Sequence, residues 1–234
     1  MSAADIEGAY GRSRNSCPAG GGGMIVVVDY GRGNLFSLGQ AVRQLGAEPV
    51  ISDDPAMLAR AERIIFPGVG AFGDAMAGLR ERGLVDPLRA AARAGTPILG
   101  ICVGCQLLLT RGEEFGLHEG LDLISGTVAR LPDPQADDPD GARIPNVGWR
   151  PLDVREAAPM VGVLQPDDWM YFVHSYAPMV DDENDIAATT RINGADIPVA
   201  IARGSIVGVQ FHPEKSGPAG LRLLARFLET ENGS

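Results

Sequence analysis

Between residues 24 and 102 the sequence alternates short apolar runs, typical of strands, with longer segments of helical spacing. The strand candidates are "MIVVVDY", "EPVISD", "ERIIFPGVG" and "PILGIC", and the first has the β-branched composition of a parallel strand covered on both faces. The helix candidates are "LFSLGQAVRQLG", "GDAMAGLRERG" and "VDPLRAAARAG". Asn34 is the expected N-cap of the first helix and Gly46 its expected end. This order predicts an α/β fold with a doubly wound, mostly parallel sheet.

After Gly126 the pattern changes to short strand candidates separated by turn residues. These are "GTVARL", "GWRPLDV", "WMYFVHSYAPMV", "DIAATTRIN", "PVAIAR" and "SIVGVQFHP". We expect them to be antiparallel strands appended to the parallel core. The Pro- and Asp-rich segment "PDPQADDPDGARIP" is a predicted loop, and "GPAGLRLLARFLE" is a predicted C-terminal helix with leucines on one face.

The first 23 residues contain neither the apolar segment of a signal peptide nor any periodicity. We expect residues 1–23 to be a disordered tail and residues 24–234 to form one domain. Met24 follows a run of glycines and is an alternative translation start.

Charge and composition exclude several classes of function. The 30 acidic and 20 basic residues give a net charge of −10, which argues against nucleic-acid and membrane-surface binding. No segment is long and apolar enough to span a bilayer. Three cysteines, two of them three residues apart, favour reduced thiols in the cytoplasm over a secreted disulfide scaffold. We expect no metal and no cofactor.

The segment "GICVGCQ" places Cys102 between a predicted strand and a helical pattern. Its flanking glycines, Gly100 and Gly104, permit the sharp turn of a nucleophile elbow. A helix beginning near Val103 favours the thiolate and offers the Val103 N–H as an oxyanion donor. A cysteine that only fills the core is the weaker interpretation, because core packing does not require paired glycines.

Cys102 and Cys105 also form a C-x-x-C pair, which is compatible with redox chemistry or metal binding. A structural zinc site needs further ligands, and the remaining cysteine, Cys17, lies in the predicted tail. The spacing alone leaves a redox pair open.

A thiol nucleophile needs a base, and the sequence has three histidines. His118 lies in a turn-like segment and is expected to be solvated, whereas His174 lies in a strand pattern and is either packed or substrate-facing. His212 is the strongest candidate, because it ends a strand and Glu214 follows two residues later. A solvated histidine at a strand end is equally compatible with the local sequence. Cys102, His212 and Glu214 form a candidate triad.

The glycines of "FPGVGAFGD", Gly68 and Gly70, let backbone N–H groups approach a substrate, as in an oxyanion loop or a phosphate-binding nest. An ordinary turn after a strand explains them equally well. "DYGRGN" lacks the third glycine of a dinucleotide-binding fingerprint, so that match is weak.

Taken together and in this order, "PGVG", "GICVGCQ" and "HPE" resemble the class I, triad-type glutamine amidotransferases. Within that class, "DYGRGNLFSL", "IPNVGW", "YFVHSY" and "QFHPEKSGPAGLRLLARFL" resemble the glutaminase subunits of imidazole glycerol phosphate synthase. The resemblance runs from Met24 to the C-terminal helix and implies a flavodoxin-like architecture. A noncatalytic relative, a thiol redox protein and an amidotransferase of anthranilate, guanylate or aminodeoxychorismate synthesis are the competing hypotheses.

The resemblance implies hydrolysis of L-glutamine to glutamate and ammonia in L-histidine biosynthesis. Cys102 would attack the side-chain amide, His212 would relay the proton and Glu214 would orient His212. The implied oxyanion donors are the Val103 N–H and a backbone N–H of residues 67–70, with Val69 the expected donor after its peptide rotates. Gln106 and the backbone of Ser175 and Tyr176 match positions that hold the amino-acid end of glutamine.

The resemblance also implies a separate partner, a (β/α)₈ cyclase that forms a heterodimer with the chain and receives its ammonia. Lys215, the only lysine in the sequence, follows the triad glutamate at a position that the family uses at the cyclase interface. Further implied interface residues are Tyr171, Asn146 and Trp149. The chain departs from the family pattern at Cys105, where a bulky apolar residue is usual, and at Arg150, where asparagine is common.

Overall fold

The computed structural model describes residues 23–134, 143–155, 160–166 and 168–229. The predicted tail, apart from its last residue, and most of the predicted loop "PDPQADDPDGARIP" lie outside these ranges. Among the described helices, none combines the length and apolar character needed to cross a membrane.

The described residues form fourteen strands and six α-helices. The strands are β1 (Ile25–Val28), β2 (Val50–Ser52), β3 (Arg63–Gly68), β4 (Ile98–Cys102), β5 (Leu109–Gly112), β6 (His118–Glu119), β7 (Ile124–Arg130), β8 (Asn146–Pro151), β9 (Asp153–Val154), β10 (Trp169–His174), β11 (Tyr176–Val180), β12 (Ile186–Ile192), β13 (Ala195–Arg203) and β14 (Ile206–Val209). The helices are α1 (Leu35–Gln44), α2 (Pro55–Leu58), α3 (Phe72–Glu81), α4 (Val85–Arg93), α5 (Val103–Leu107) and α6 (Gly217–Glu229).

Eight strands form the main sheet, in the order β2-β1-β3-β4-β14-β13-β12-β9. The first five run parallel, which confirms the predicted parallel core, and the last three are antiparallel. The antiparallel prediction holds on only one side of two strands: β14 pairs antiparallel with β13 but parallel with β4, and β7 pairs antiparallel with β11 but parallel with β5. All four residues of β14 are buried, as expected of a strand covered on both faces in a parallel sheet.

Two smaller sheets lie beside the main sheet. One has four strands in the order β11-β7-β5-β6, and the other is the antiparallel pair β10-β8. The single strand predicted from "WMYFVHSYAPMV" divides at Ser175 into β10 and β11, which belong to different sheets. The helix predicted after Cys102 is short, because α5 ends at Leu107 and the chain enters β5 two residues later.

Local signals placed the first helix correctly. The side chain of Asn34 caps α1 by accepting a hydrogen bond from the Ser37 N–H, at 3.3 Å. Gly46, just beyond the helix, has a φ of +85°, a conformation that favours glycine. The four-residue helix α2 was not predicted, although Asp54 caps it through the Ala56 N–H.

The carboxyl ends of β3, β4 and β14 meet at one edge of the main sheet. Gly68 and Cys102 are register partners at the ends of β3 and β4. Val209, the last residue of β14, pairs with Ile101, so the chain that follows β14 passes beside Cys102. This edge is where ligands bind in open α/β sheets.

Candidate active site

Cys102 lies on a strained turn between β4 and α5. Its φ of 56° and ψ of −114° are unusual for a residue with a side chain. A Cβ on Gly104 would lie 1.8 Å from the carbonyl oxygen of Phe66, and one on Gly100 would lie 2.8 Å from the carbonyl oxygen of Gly104. Both glycines are therefore required by close backbone contacts, and the turn has the elbow geometry expected from the sequence.

His212 follows β14 and is buried next to the elbow. Its Nδ1 lies 3.0 Å from Oε1 of Glu214, and both side chains are almost fully shielded from solvent. Nε2 is buried without a hydrogen-bond partner among the described residues. The ring nevertheless interacts with Cys102, and both residues line the same cavity. The structure thus brings the three predicted triad residues together.

The environment of His212 favours the imidazolium. Burial lowers the pKa of this ring, but its interactions with Cys102 and Glu214 outweigh burial and raise the pKa to about 9. A group with this pKa carries its proton at neutral pH. A protonated imidazole next to a cysteine sulfur is the arrangement in which a cysteine can act as a nucleophile and the histidine as a general acid.

A cavity of about 290 Å³ opens beside Cys102 and His212. Its lining includes the predicted oxyanion residues Val69, Gly70 and Val103 and the predicted substrate residues Gln106, Ser175 and Tyr176. The remaining lining residues are Glu114, Pro145, Val173 and His174.

Gly68 lies behind this lining, where the end of β3 touches the elbow. A Cβ on Gly68 would lie 2.7 Å from the backbone N of Gly104 and 2.4 Å from Oη of Tyr30. The small residue therefore lets the predicted oxyanion strand pack directly against the turn that carries the thiol.

Two polar side chains at this site were not predicted from the sequence. Gln210 donates a hydrogen bond from Nε2 to the sulfur of Cys102, at 3.8 Å. Glu114 lines the cavity and accepts a hydrogen bond from the backbone N–H of Phe72, at 2.9 Å. Gln210 could have been found from its place two residues before His212, but Glu114 could not, because nothing local connects "RGEEFG" to Cys102.

Three of the four predicted interface residues form an outward-facing cluster. Nζ of Lys215 lies 5.8 Å from the centre of the Tyr171 ring, and Tyr171 meets Trp149 edge-on at 6.0 Å between ring centres. Asn146 differs from this expectation, because only 2% of it is exposed and its amide faces His174 inside the chain. A partner on the surface cannot reach Asn146.

The other two histidines lie outside the triad. His174 is buried and also lines the cavity, so both interpretations of this residue apply. His118 lies in β6, half-buried, with its ring against Gly73 in α3. This packing is the reason that His118 is less solvated than expected.

Comparison with known proteins identifies the family. A sequence model described as "Glutamine amidotransferase class-I" matches residues 26–230. The imidazole glycerol phosphate synthase subunit HisH of Symbiobacterium thermophilum is 46% identical over 203 residues, which are 87% of this chain and 92% of that protein. The subunit HisH of Geobacter sulfurreducens is 43% identical over 205 residues, 88% of this chain and 98% of that protein. This chain is a class-I glutamine amidotransferase of the HisH family.

The fold agrees with this membership. A crystal structure of a glutamine amidotransferase matches with a TM-score of 0.66 at 22% sequence identity, over 87% of this chain and 97% of that chain. The predicted α/β architecture of the class is thereby confirmed.

Cys105 of this amidotransferase does not form a disulfide with the elbow cysteine. Cys102 and Cys105 are both free thiols. Cys105 is fully buried behind the elbow, where a Cβ on Gly208 would lie 2.7 Å from its sulfur. Burial, together with the nearby Cys102, raises the pKa of the Cys105 thiol, so this sulfur is in its unreactive form.

We expect Glu214→Gln to move the alkaline limb of the pH profile of glutaminase activity to lower pH. In the parent chain, we expect activity to fall as the pH rises through about 9, because His212 then loses its proton and can no longer act as a general acid. The amide removes the negative charge that raises the His212 pKa, and kcat/KM should also fall by about tenfold, the effect of one lost charge-assisted hydrogen bond. The pH dependence of kcat/KM tests this, with Glu81→Gln on the exposed face of α3 as the control. An unchanged alkaline limb in Glu214→Gln would contradict it.

Proposed function

We propose that this chain hydrolyses the side-chain amide of glutamine with Cys102, His212 and Glu214 and passes the ammonia to a separate cyclase subunit. In this proposal it is the cytoplasmic glutaminase subunit of imidazole glycerol phosphate synthase, in L-histidine biosynthesis. The observation that carries the proposal is the thiol–imidazole–carboxylate set at a cavity of about 290 Å³. The 46% identity to a HisH subunit supports the choice of pathway.

The reaction follows from the geometry of the triad. The sulfur of Cys102 attacks the amide carbon, and the resulting oxyanion faces the Val103 N–H and the backbone of residues 68–70. The carbon–nitrogen bond then breaks while His212 gives its proton to the nitrogen, so ammonia leaves and a γ-glutamyl thioester remains. Water attacks the thioester and gives a proton to His212, which releases glutamate and restores the thiolate. Glu214 stabilises the imidazolium in both steps.

The lining of the cavity suits the amino-acid end of glutamine. The carboxylate of Glu114 complements the positive charge of an α-ammonium group. Gln106 lines the cavity and also supports its wall, because its Nε2 donates to the carbonyl oxygen of Tyr176 at 3.0 Å. We propose that Gln106 holds the backbone of Ser175 and Tyr176 in the position that binds the substrate.

The cyclase is proposed to dock on the outer face of the β8-β10 pair. Register partners on this face are Tyr171 with Trp149 and Val173 with Val147, and exposed apolar side chains of this kind mark protein contacts. Lys215 adds a positive charge beside them. Val173 also lines the cavity, so ammonia formed at Cys102 would leave at the covered face instead of entering bulk water.

Mixing the chain with a candidate cyclase and its phosphoribosyl substrate tests this function. We expect glutamate release to rise on mixing, and Lys215→Ala to reduce that rise about tenfold, because a charged contact in a protein interface is lost. Lys215→Arg keeps the charge, and Arg43→Ala at the end of α1 is a control on a distant surface. If no histidine-pathway cyclase stimulates the chain, the amidotransferases of anthranilate, guanylate or aminodeoxychorismate synthesis become the better hypotheses.

A further inference from the structure

A series of hydrogen-bonded polar side chains connects β8 to the sulfur of Cys102. It begins at Arg150, whose Nε donates to Oδ1 of Asn146 at 2.6 Å. The amide of Asn146 lies 2.9 Å from Nε2 of His174, across the β8-β10 pair. A guanidinium can only donate, so Oδ1 of Asn146 must face Arg150 and Nδ2 must donate to His174.

This arrangement selects one tautomer of His174. Because Nε2 accepts from Asn146, the proton of the neutral ring lies on Nδ1, which donates to the carbonyl oxygen of Tyr176 at 2.9 Å. Burial, with smaller contributions from the charges of Arg150 and His212, lowers the pKa of His174 to about 4, although the bond to Tyr176 opposes this. His174 is therefore neutral at physiological pH and its direction of donation is fixed.

Two glutamine side chains connect the carbonyl oxygen of Tyr176 to the thiol of Cys102. The carbonyl oxygen of Tyr176 also accepts from Nε2 of Gln106, whose second hydrogen reaches Oε1 of Gln210 at 2.9 Å. With its oxygen engaged, Gln210 must present Nε2 to the sulfur of Cys102, at 3.8 Å. A donor placed there stabilises the thiolate.

We propose that Arg150 is a positioning residue for the reaction, because it fixes the tautomer of His174 that holds the carbonyl of Tyr176, the acceptor through which Gln106 keeps an N–H of Gln210 on the sulfur of Cys102. The proposal rests on the proposed glutaminase function. Without Arg150 the amide of Asn146 can turn over and present its oxygen to His174. The ring then carries its proton on Nε2, and the lone pair of Nδ1 opposes the carbonyl oxygen of Tyr176. The carbonyl of Tyr176, which anchors Gln106 and through it Gln210, then loses its fixed orientation.

The tautomer of His174 gives a direct test that needs no partner and no substrate. The chain has three histidines, so ¹⁵N-labelled histidine rings can be assigned with single His→Gln variants. We expect His174 to carry its proton on Nδ1 in the parent chain and in Arg150→Lys, which still donates to Asn146. Arg150→Met should move the proton, wholly or partly, to Nε2. Arg191→Met is the matched control, because that side chain is 64% exposed and pairs with Asp196 outside the series.

Reactivity of the thiol is the second readout. We expect Arg150→Met to slow alkylation of Cys102 by iodoacetamide about tenfold, and to lower kcat for glutamine more than it raises KM, because a charge-assisted hydrogen bond has been removed. Arg150→Lys should keep most of the parent chain's alkylation rate and most of its kcat for glutamine. An unchanged His174 tautomer together with unchanged alkylation in a folded Arg150→Met chain would overturn the proposal. Failure of the parent chain to release glutamate with any cyclase would instead overturn the proposed function, since the tautomer and the alkylation rate can still be measured.

Discussion

Replacing Cys102 by alanine should lower glutamate release by roughly ten-thousandfold or more, which is the scale observed when a triad nucleophile is removed. The substitution deletes the sulfur that attacks the amide, while the residual cavity and oxyanion donors cannot form a thioester. The proposed complex with the cyclase should still make product from added ammonia, because the proposed cyclase reaction does not use the thiol. Glutamate release and ammonia-dependent synthesis are measured on the same preparation.

Cys105→Ala is the matched control for this prediction. It removes the same side chain three residues away, at a fully buried site where the sulfur packs near Gly208. We expect it to keep glutaminase activity within a few-fold, with a modest loss of stability from the small cavity. Activity that survives in Cys102→Ala, or vanishes in Cys105→Ala while the chain stays folded, would refute the assignment of the nucleophile.

Gly104→Ala should lower the free energy of unfolding by ~3 kcal/mol or more and abolish glutaminase activity. The added methyl group would meet the carbonyl oxygen of Phe66 at 1.8 Å. The atoms nearest to it all belong to the backbone, so no flexible side chain can move away to make room. Either the end of β3 separates from the elbow or the elbow itself shifts, and both displace Cys102 from His212. Urea unfolding and iodoacetamide alkylation measure the two effects.

Gly39→Ala in α1 is the contrasting substitution. Its Cβ would meet only the end of the Arg43 side chain at 3.4 Å and Ile51 at 3.9 Å, which are ordinary contacts. Alanine in a helix interior should therefore stabilise the chain by about 0.5–1 kcal/mol. If the two variants unfolded at the same urea concentration, close contact at the elbow would not be the reason that glycine is needed there.

The first half of the fold could be predicted because its signals are local. Asn34 and Gly46 mark the ends of α1 by their own chemistry, and the β-branched run of β1 indicates a buried parallel strand. The orientation of β14 could not be predicted, since it follows β13 through a tight turn and its parallel partner, β4, lies about a hundred residues earlier in the chain. That pairing is what carries His212 to the elbow.

Some residues of the candidate site could likewise be predicted from local sequence, and others could not. Cys102, His212 and Glu214 occur in short motifs, whereas Gln106 and Gln210 are 104 residues apart and their contact depends on the finished sheet. The inward position of Asn146 did have a local signal. Residues 146 and 149 are an odd number apart on one strand, so they must lie on opposite faces of β8.

Lys215 gives the molecule an unusual chemical selectivity. It carries the only ε-amino group in 234 residues, it is exposed, and it stands over the Tyr171 ring. Acylating reagents such as succinimidyl esters can therefore modify just one side chain, at the face where the cyclase is proposed to sit. Protection of this amine from acylation, when the unmutated protein is mixed with the cyclase, would map the contact.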